Sequence, residues 1–330
     1  MELLFLGTSA GIPTRHRNVT ALALKRRQSK AWVLIDCGEG TQHQLLNTSL
    51  SLKHLSAICI THVHGDHCFG LFGVLASAAM YKRSEPLLII APDGIQKMVE
   101  MVIEQSDTHL PYKLIFRTPD TLVASTCHVL PVDDFCIRTV ALSHRVPSYA
   151  YVFNERYTSS ALNVDKLKQD DIPQGPLWQQ IQKGVDVELN DGRRIVAEDY
   201  QLPKPPSRRV IVGGDNDTPK LLAELAQTAQ VLVHEATYSL EISQKVGPFP
   251  QYTDVTTLAQ FAESVHLPNL IMTHFSARYG HEPEHEPSVY ELLAEAQAYY
   301  QGQVFLAEDF AQFYLDANGV LSQQKTAIAG

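Results

Sequence analysis

The sequence predicts an α/β protein built on stacked sheets whose strand ends gather polar residues at one rim, and three observations carry that expectation. Short apolar runs of strand length alternate with helix-length segments, as in Leu55 to Ile60, Leu71 to Tyr81, Leu87 to Ala91 and Gly94 to Glu104. At least four of the apolar strands end in histidine or aspartate, at His62, Asp215, His234 and His274. The run Thr61-His62-Val63-His64-Gly65-Asp66-His67 follows one such strand and places three imidazoles and a carboxylate in six consecutive positions. Loops gathered at one rim of a sheet stack form a preformed polar site.

Element by element, Glu2 to Leu6, Ala21 to Lys25 and Trp32 to Asp36 read as an opening antiparallel meander, being short apolar or alternating runs separated by Gly, Pro and charged residues. Gly38 and Gly40 punctuate it, and Thr41 to Asn47 is expected to be a short helix before the strand that feeds the histidine-rich loop. Leu71 to Tyr81 is apolar nearly all round and predicts a buried helix, followed by a strand at Leu87 to Ala91 and a helix at Gly94 to Glu104. Phe135 to Leu142 and Tyr149 to Phe153 predict strands flanking Ser143-His144-Arg145-Val146-Pro147-Ser148. From about residue 155 to 205 the long apolar runs give way to Asp170-Asp171, Pro173-Gln174-Gly175-Pro176, Asn190-Asp191-Gly192 and Pro203-Lys204-Pro205-Pro206. This predicts an insertion projecting from a single domain over 1–330, with its own short hairpin and helix; such turn chemistry opposes a packed core. A stretch of this length inside a compact domain is more often functional or mobile than idle. The body resumes at Val210 to Val212, ending in Gly213-Gly214-Asp215. Helices are expected at Lys220 to Gln227, Thr257 to Val265 and Ser288 to Tyr300, strands at Val231 to Val233, Leu270 to Thr273 and Val304 to Leu306, and a frayed tail after Gly319.

Bulk properties narrow the function. The 330 residues suffice for one large domain or two ordinary ones, and 45% hydrophobic with 19% charged residues is ordinary for a soluble globular chain. A net charge of -9 argues against indiscriminate coating of nucleic acid, which needs many Lys and Arg to neutralise phosphate. Arg15, Arg17, Lys25, Arg26, Arg27 and Lys30 still form a local basic stretch. The five cysteines are odd in number and lack a C-x-x-C pair, so neither a disulfide framework nor a thiolate zinc site is expected, and free thiols in a cytoplasmic protein fit best. The N-terminus carries no basic region ahead of its short apolar run, and no stretch approaches the about 18 apolar residues that suggest a membrane span.

Neutral imidazole nitrogen is a usual donor to zinc and a carboxylate completes or bridges a site, so the histidine-rich loop suits one divalent ion or two. His62 and His64 point the same way from an extended segment, while Gly65 lets the chain turn and present Asp66 and His67 from another direction. A dinuclear site needs roughly seven or eight donors. The loop has four, and His144, Asp215 and His274 stand at further predicted strand ends.

Together these donors resemble, in order, the ligands of the metallo-β-lactamase fold. At closer range the sequence is similar to the tRNase Z family, endonucleases that remove 3′ trailers from tRNA precursors. The carrying segments are Phe5-Leu6-Gly7-Thr8-Ser9-Ala10-Gly11-Ile12-Pro13, Pro13 to Asn18, Thr61 to His67, Ser143 to Ser148, Val233-His234-Glu235-Ala236-Thr237 and Thr273-His274-Phe275-Ser276-Ala277-Arg278-Tyr279. The insertion resembles that family's tRNA-binding arm, with Gly175-Pro176-Leu177-Trp178 at its Gly-Pro motif and Leu189 to Arg193 as the return hairpin. The resemblance implies a four-layer αββα sandwich with a protruding arm, and a homodimer in which one subunit's arm grips precursor tRNA for the other's site. It implies that His62, His64 and His144 hold one zinc, Asp66, His67 and His274 a second, and Asp215 bridges them, manganese or another divalent metal being accepted by the same donors. Asp66 then orients or deprotonates the attacking water, and the products are a tRNA 3′-hydroxyl and a trailer 5′-phosphate. By the same resemblance Arg278 pairs with a substrate phosphate, Arg15, Arg17 and Asn18 sense the nucleotides around the cut, and Gly175 and Pro176 touch tRNA.

The chain departs from the family at one informative place. Where the family has His-Ser-Thr, with the histidine protonating the departing 3′ oxygen, this sequence reads Tyr252-Thr253-Asp254-Val255-Thr256-Thr257. Aligning the threonines puts Asp254, or with a shifted gap Tyr252, at the histidine. The expected catalytic set is Asp66, Glu235 and Asp254, with Asp254 kept protonated beside Glu235; His234 and Glu235 are alternatively a structural pair orienting a neighbouring ligand. Gly214-Asp215-Asn216-Asp217 replaces Gly-Asp-Thr-Arg, and Tyr149-Ala150-Tyr151 has Ala where Gly is usual. Two other functions compete: a related phosphodiesterase acting on small or cyclic nucleotides, for which the arm is unnecessary, and a weakly active metal-bearing tRNA-binding protein.

Overall fold

The apolar runs pair into two large sheets in the computed structural model, which describes residues 1–122, 130–156, 160–203 and 207–324. The first sheet has eight strands in the order Leu321–Gln324, Gln312–Leu315, Glu2–Gly7, Ala21–Lys25, Trp32–Ile35, Leu55–Cys59, Leu87–Ile90, Leu114–Arg117. The second has seven, in the order Gln303–Leu306, Asn269–Thr273, Val231–Glu235, Arg209–Val212, Ser148–Glu155, Phe135–Leu142, Leu130–Val132. Each sheet contains a run of parallel strands, from Trp32–Ile35 to Leu114–Arg117 in the first and from Arg209–Val212 to Gln303–Leu306 in the second. Parallel neighbours need crossover connections, and the helices Thr41–Leu46, Leu71–Met80, Ile95–Gln105, Val255–Ser264 and Val289–Tyr299 lie in them.

Strand side chains alternate between two cores, which is what stacks the layers. Leu3, Phe5, Val33, Ile35, Tyr151, Phe153, Val210, Val212 and Ile271 are buried together between the sheets. The intervening Ala150, Val152, Ile211, Leu270 and Met272 face the helices Val255–Ser264 and Val289–Tyr299, packing with Leu258, Phe261 and Leu292. On the other side Trp32, Leu34, Ile58 and Ile60 pack with Leu71, Val74, Leu75 and Val99. The result is the αββα sandwich. Phe153 is fully buried between the sheets, so Phe153→Ala removes about 3–5 kcal/mol.

Residues Glu155–Ser207 form a compact unit separate from Met1–Asn154 with Arg208–Gly330. Here the sequence reading needs correction, because this turn-rich segment has a core of its own. Leu167, Ile172, Ile181, Val187, Leu189, Ile195, Ala197 and Tyr200 are buried together, with Leu162, Leu177 and Trp178 packed against them. Apolar residues spaced singly between turns are brought together by the helices Val164–Gln169 and Pro176–Gln182 and the hairpin of Val187–Glu188 with Arg194–Ile195. Asn163 caps the first helix, and Pro176 opens the second, where its missing N–H has no intrahelical partner to lose.

The tail also differs from expectation: Leu321–Gln324 is the edge strand of the first sheet, with Leu321 paired to Leu315. Cys127 and the turn residues Lys204, Pro205 and Pro206 lie outside the described residues. Among the described residues Cys37, Cys59, Cys68 and Cys136 are free thiols, and no helix is long and apolar enough to cross a membrane.

Candidate active site

The histidine-rich loop begins where the strand Leu55–Cys59 ends, and Asp36 from the neighbouring strand's end organises it. The Asp36 carboxylate accepts from Thr61 N–H at 2.7 Å and Thr61 Oγ1 at 2.8 Å, and pairs with His67 Nδ1 at 2.7 Å. A single helical turn, Gly65–Cys68, then reverses the chain so that Asp66 and His67 present from the other side of His62 and His64. Gly38 permits this fold-back, since a Cβ there would stand 2.2 Å from the Asp66 carbonyl.

Two donor sets result. The ligand atoms of His62, His64, His144 and Asp215 lie within 4.8 Å of one another, as do those of Asp66, His67 and His274. Asp215 turns one oxygen to each set: Oδ2 is 3.5 Å from His62 Nε2 and 3.7 Å from His144 Nε2, while Oδ1 is 3.5 Å from His67 Nε2 and 3.4 Å from His274 Nε2. That Oδ2 is buried and has no hydrogen-bond partner. Asp66 Oδ2 lies 3.5 Å from His67 Nε2 and 3.4 Å from His274 Nε2 and accepts the Gly11 N–H at 2.7 Å.

The outward nitrogens decide what the inward ones offer. His67 Nδ1 faces Asp36, and His144 Nδ1 faces the Gln251 carbonyl at 3.0 Å. His274 Nδ1 faces Thr237 Oγ1 at 3.0 Å, whose own hydrogen goes to Glu235 Oε2 at 2.6 Å. His62 Nδ1 faces Thr61 Oγ1 at 3.0 Å, whose hydrogen goes to Asp36. Each partner accepts, so Nδ1 carries the proton and Nε2 turns a lone pair inward; His64 alone turns Nδ1 inward. Lone pairs and carboxylate oxygens converging this closely repel unless a cation lies between them, so the donors fit two divalent ions of nitrogen and oxygen preference. Burial depresses His62, His64 and His144, neighbouring imidazoles adding to it at His62 and His64. Burial opposes charge at His67 and His274 too, but the carboxylates of Asp66 and Asp215 overcome it and raise both.

A protein of Marinobacter nauticus named Ribonuclease Z is 49% identical to this chain, covering 96% of it and 97% of its own length. One of Pseudomonas putida with the same name is 46% identical, covering 97% and 99%. The chain belongs to the ribonuclease Z family. Residues 1–171 also match the model of a family described as Anti-Pycsar protein Apyc1, a span that includes His62 to His67 and His144 but neither Asp215 nor His274. Among solved structures the fold is similar to human tRNase Z, short form, with a TM-score of 0.65 at 24% identity over 96% of this chain and 100% of that one. The metallo-β-lactamase fold protein YhfI of Bacillus subtilis is similar with a TM-score of 0.62 at 17% identity over 98% and 99%. The αββα sandwich is thus the metallo-β-lactamase fold.

In this ribonuclease Z-family chain His234 and Glu235 are buried behind the donors. His234 Nε2 accepts from the Asn216 amide at 3.0 Å and Nδ1 donates to the Glu235 carbonyl at 2.8 Å; burial lowers its pKa to about 4, so it is a neutral brace. Asn216 Oδ1 in turn accepts from Ser143 N–H at 3.2 Å, so one amide ties the loops of Asp215 and His144. Asn216 therefore has a structural role of its own. Glu235 takes Thr237 and Thr253 as hydrogen-bond donors, and burial, with Asp215 adding to it, pushes its carboxyl up to about 8.

The other expected site residues divide. The Asp254 carboxylate caps the helix Val255–Ser264, accepting from Thr257 N–H and Thr257 Oγ1 at 2.8 Å each, and no hydrogen bond to Glu235 is found among the described residues. The expected pairing of the two acids is replaced by this cap, because an aspartate one residue before a helix meets unpaired N–H groups first. Arg17 is buried, donating to Thr8 Oγ1 at 2.8 Å and the Ala307 carbonyl at 2.7 Å over the Phe275 ring, whereas Arg15 is exposed. Asn18 donates its amide to the Glu39 carbonyl at 2.8 Å. Arg278 lies over the Tyr238 ring at 5.0 Å. Gly175 and Pro176 belong to the unit Glu155–Ser207. Sequence reasoning missed Asp36 and Thr237 as braces of the donors; an acid at a strand end followed by Gly38 and Gly40 was the available signal for Asp36. His274 and Asp36 also adopt left-handed backbone, φ 60 and 56, a region that residues other than glycine hold uncommonly, though Asp and His more often than most.

Proposed function

We propose that this chain is a metal-dependent endoribonuclease that removes the 3′ trailer from tRNA precursors, with two zinc ions per subunit. His62, His64 and His144 would hold the first and Asp66, His67 and His274 the second, with Asp215 shared between the two sets; manganese suits the same donors. The observation that carries this reading is the Asp215 carboxylate, with one oxygen toward each donor set. When bound there, divalent cations would supply the Lewis acidity that makes water nucleophilic near neutral pH and would offset charge on the phosphoryl group.

The chain's own residues do the rest. Asp66, held below the usual carboxylate range because His67 and His274 outweigh its burial, stays ionised to orient the attacking water. Gly11 N–H fixes the Asp66 carboxylate, and Glu235 acts by positioning Thr237 and through it His274. Arg278 and exposed Arg15 pair with backbone phosphates. The unit Glu155–Ser207, with Gly175 and Pro176, serves as the tRNA-binding arm. A tRNA 3′-hydroxyl and a trailer 5′-phosphate leave the site.

The enzyme acts as a homodimer, and the exposed apolar Leu46, Met80 and Tyr81 beside the cleft of Gln42, Leu45 and Leu50 support a self-association face. A precursor-tRNA substrate supports a cytoplasmic location. The deciding experiment incubates metal-analysed protein with a 3′-extended tRNA precursor, wild type against His64→Ala. Cleavage at the trailer junction by wild type and its loss in the variant is expected; an intact precursor with fully metal-loaded wild type refutes the reading.

A further inference from the structure

The segment before the helix Val255–Ser264 is pinned on both sides of Tyr252. The Gln251 carbonyl partners His144 Nδ1 at 3.0 Å. Thr253 N–H donates to Glu235 Oε1 and its hydroxyl to the Asn216 carbonyl, both at 2.5 Å, while Asp254 caps the helix. Tyr252 is thereby held with its ring centroid 5.6 Å from that of His144 and 5.6 Å from that of His274, one histidine from each donor set. Tyr238 closes a further side, its ring edge-on at 5.8 Å with the Arg278 guanidinium over it. Among the described residues no aromatic side chain outside the donor sets contacts both of them, and the half-buried Tyr252 makes no hydrogen bond through its hydroxyl.

The chemistry needs a donor at this place. Hydrolysis that leaves a 3′-hydroxyl forms a bond from the water oxygen to phosphorus and breaks the phosphorus–O3′ bond, so negative charge builds on O3′ until a proton from solvent replaces the one lost by water. The donor sets present only lone pairs and carboxylates, and both Glu235 and Asp254 are engaged as acceptors.

We propose that Tyr252 is a catalytic residue of this cleavage, its neutral hydroxyl donating a hydrogen bond to the departing O3′ while its ring is held by His144, His274 and Tyr238. The proposal rests on the endoribonuclease reading above. The hydroxyl keeps its hydrogen throughout, so its contribution is electrostatic and grows as the phosphorus–O3′ bond lengthens.

Tyr252→Phe preserves the ring contacts and removes the donor. The test compares it with wild type on a precursor tRNA and on the same precursor with sulfur replacing O3′ at the scissile bond, with bound metal counted in both proteins and the affinity for uncleavable precursor measured. Expected is a roughly 10²-fold fall in kcat on the oxygen substrate, with metal content and affinity unchanged. On the sulfur substrate the deficit shrinks to about threefold or less, because a thiolate leaves with little help from a donor. Wild-type kcat in the variant, or an equal loss on both substrates, overturns the role of Tyr252 alone. If loaded wild type leaves the oxygen precursor intact, the endoribonuclease reading and the Tyr252 role fall together.

Discussion

Asp36 receives three groups with one carboxylate, two from Thr61 and one from His67. Asp36→Asn keeps the size but turns an amide hydrogen toward a position that must accept, which disfavours the His67 tautomer that offers Nε2 inward. Metal affinity is expected to fall about 10–100-fold at the set containing His67, as read by competition titration; an unchanged affinity disproves the bracing role. Asp254 has the opposite character. Asp254→Ala loses a cap and about 1 kcal/mol of stability, seen as a lower denaturation midpoint, with the shape of the pH profile for cleavage retained. A flattened alkaline limb at unchanged stability restores Asp254 as the proton donor, since a donor loses its proton, and cleavage its help, as pH rises. The two donor sets were legible because three imidazoles and a carboxylate stand within six consecutive positions and His144, Asp215 and His274 stand at further predicted strand ends. Thr237 was not, since a hydroxyl occurs everywhere and its role depends on which imidazole the fold sets beside it, and Tyr252 was legible only as the second of two alignments to the family's histidine.

The inserted unit and the body meet in the sequence at a point that permits excision. Asn154 on the strand Ser148–Glu155 is paired with Arg209 on the antiparallel neighbour, so the chain leaves and returns at adjacent positions of one sheet. Antiparallel partners lie about 5 Å apart and can be joined by a two-residue turn. Replacing residues 155–208 by Asn-Gly is therefore expected to leave a folded, metal-binding protein that hydrolyses a small chromogenic phosphodiester near the wild-type rate and fails on precursor tRNA. Retained tRNA cleavage excludes the arm role. The boundaries of this unit were readable from its loss of long apolar runs, but its core was not: Leu167, Ile172, Ile181 and Val187 are isolated in sequence and make a cluster only in three dimensions. The strands Gln312–Leu315, second from the edge, and Leu321–Gln324, at the edge, escaped for a related reason, since each is short and has few fully buried apolar residues, Phe313 with Leu315 and Leu321 alone.

At the scale of the molecule, the ends of the chain meet at Asp309, which accepts from Thr8 Oγ1 at 2.8 Å, Asn18 N–H at 2.6 Å and Gln44 Nε2 at 2.9 Å. Burial pushes this carboxyl up to about 6 from its ordinary 3.8. A carboxyl whose folded pKa is raised binds its proton more tightly in the native state, so its contribution is complete below the unfolded pKa and is lost as pH rises through about 6. Wild-type unfolding free energy should carry this falling component across that window, and Asp309→Asn should lack it; parallel curves reject the assignment. The donor sets bring the two sheets together more directly. His62, His64, Asp66 and His67 follow a strand of the first sheet, whereas His144, Asp215 and His274 follow strands of the second, and no residue of either donor set lies within Glu155–Ser207. An ion held by either set would thus cross-link sheets that also share the apolar layer of Phe5, Phe153 and their neighbours and the Tyr151 hydroxyl's hydrogen bonds to the Ile60 and Ile90 carbonyls. Ligand that binds only the folded state at about 100-fold above its dissociation constant adds about 2.7 kcal/mol. Chelation should lower the melting temperature of the body by several degrees, about 2–4 °C per kcal/mol for a chain of this class, and zinc in excess of chelator should restore it. A melting temperature indifferent to chelator, with metal loss verified by elemental analysis, means that the sheets are held by packing alone and that the donors converge without lending stability.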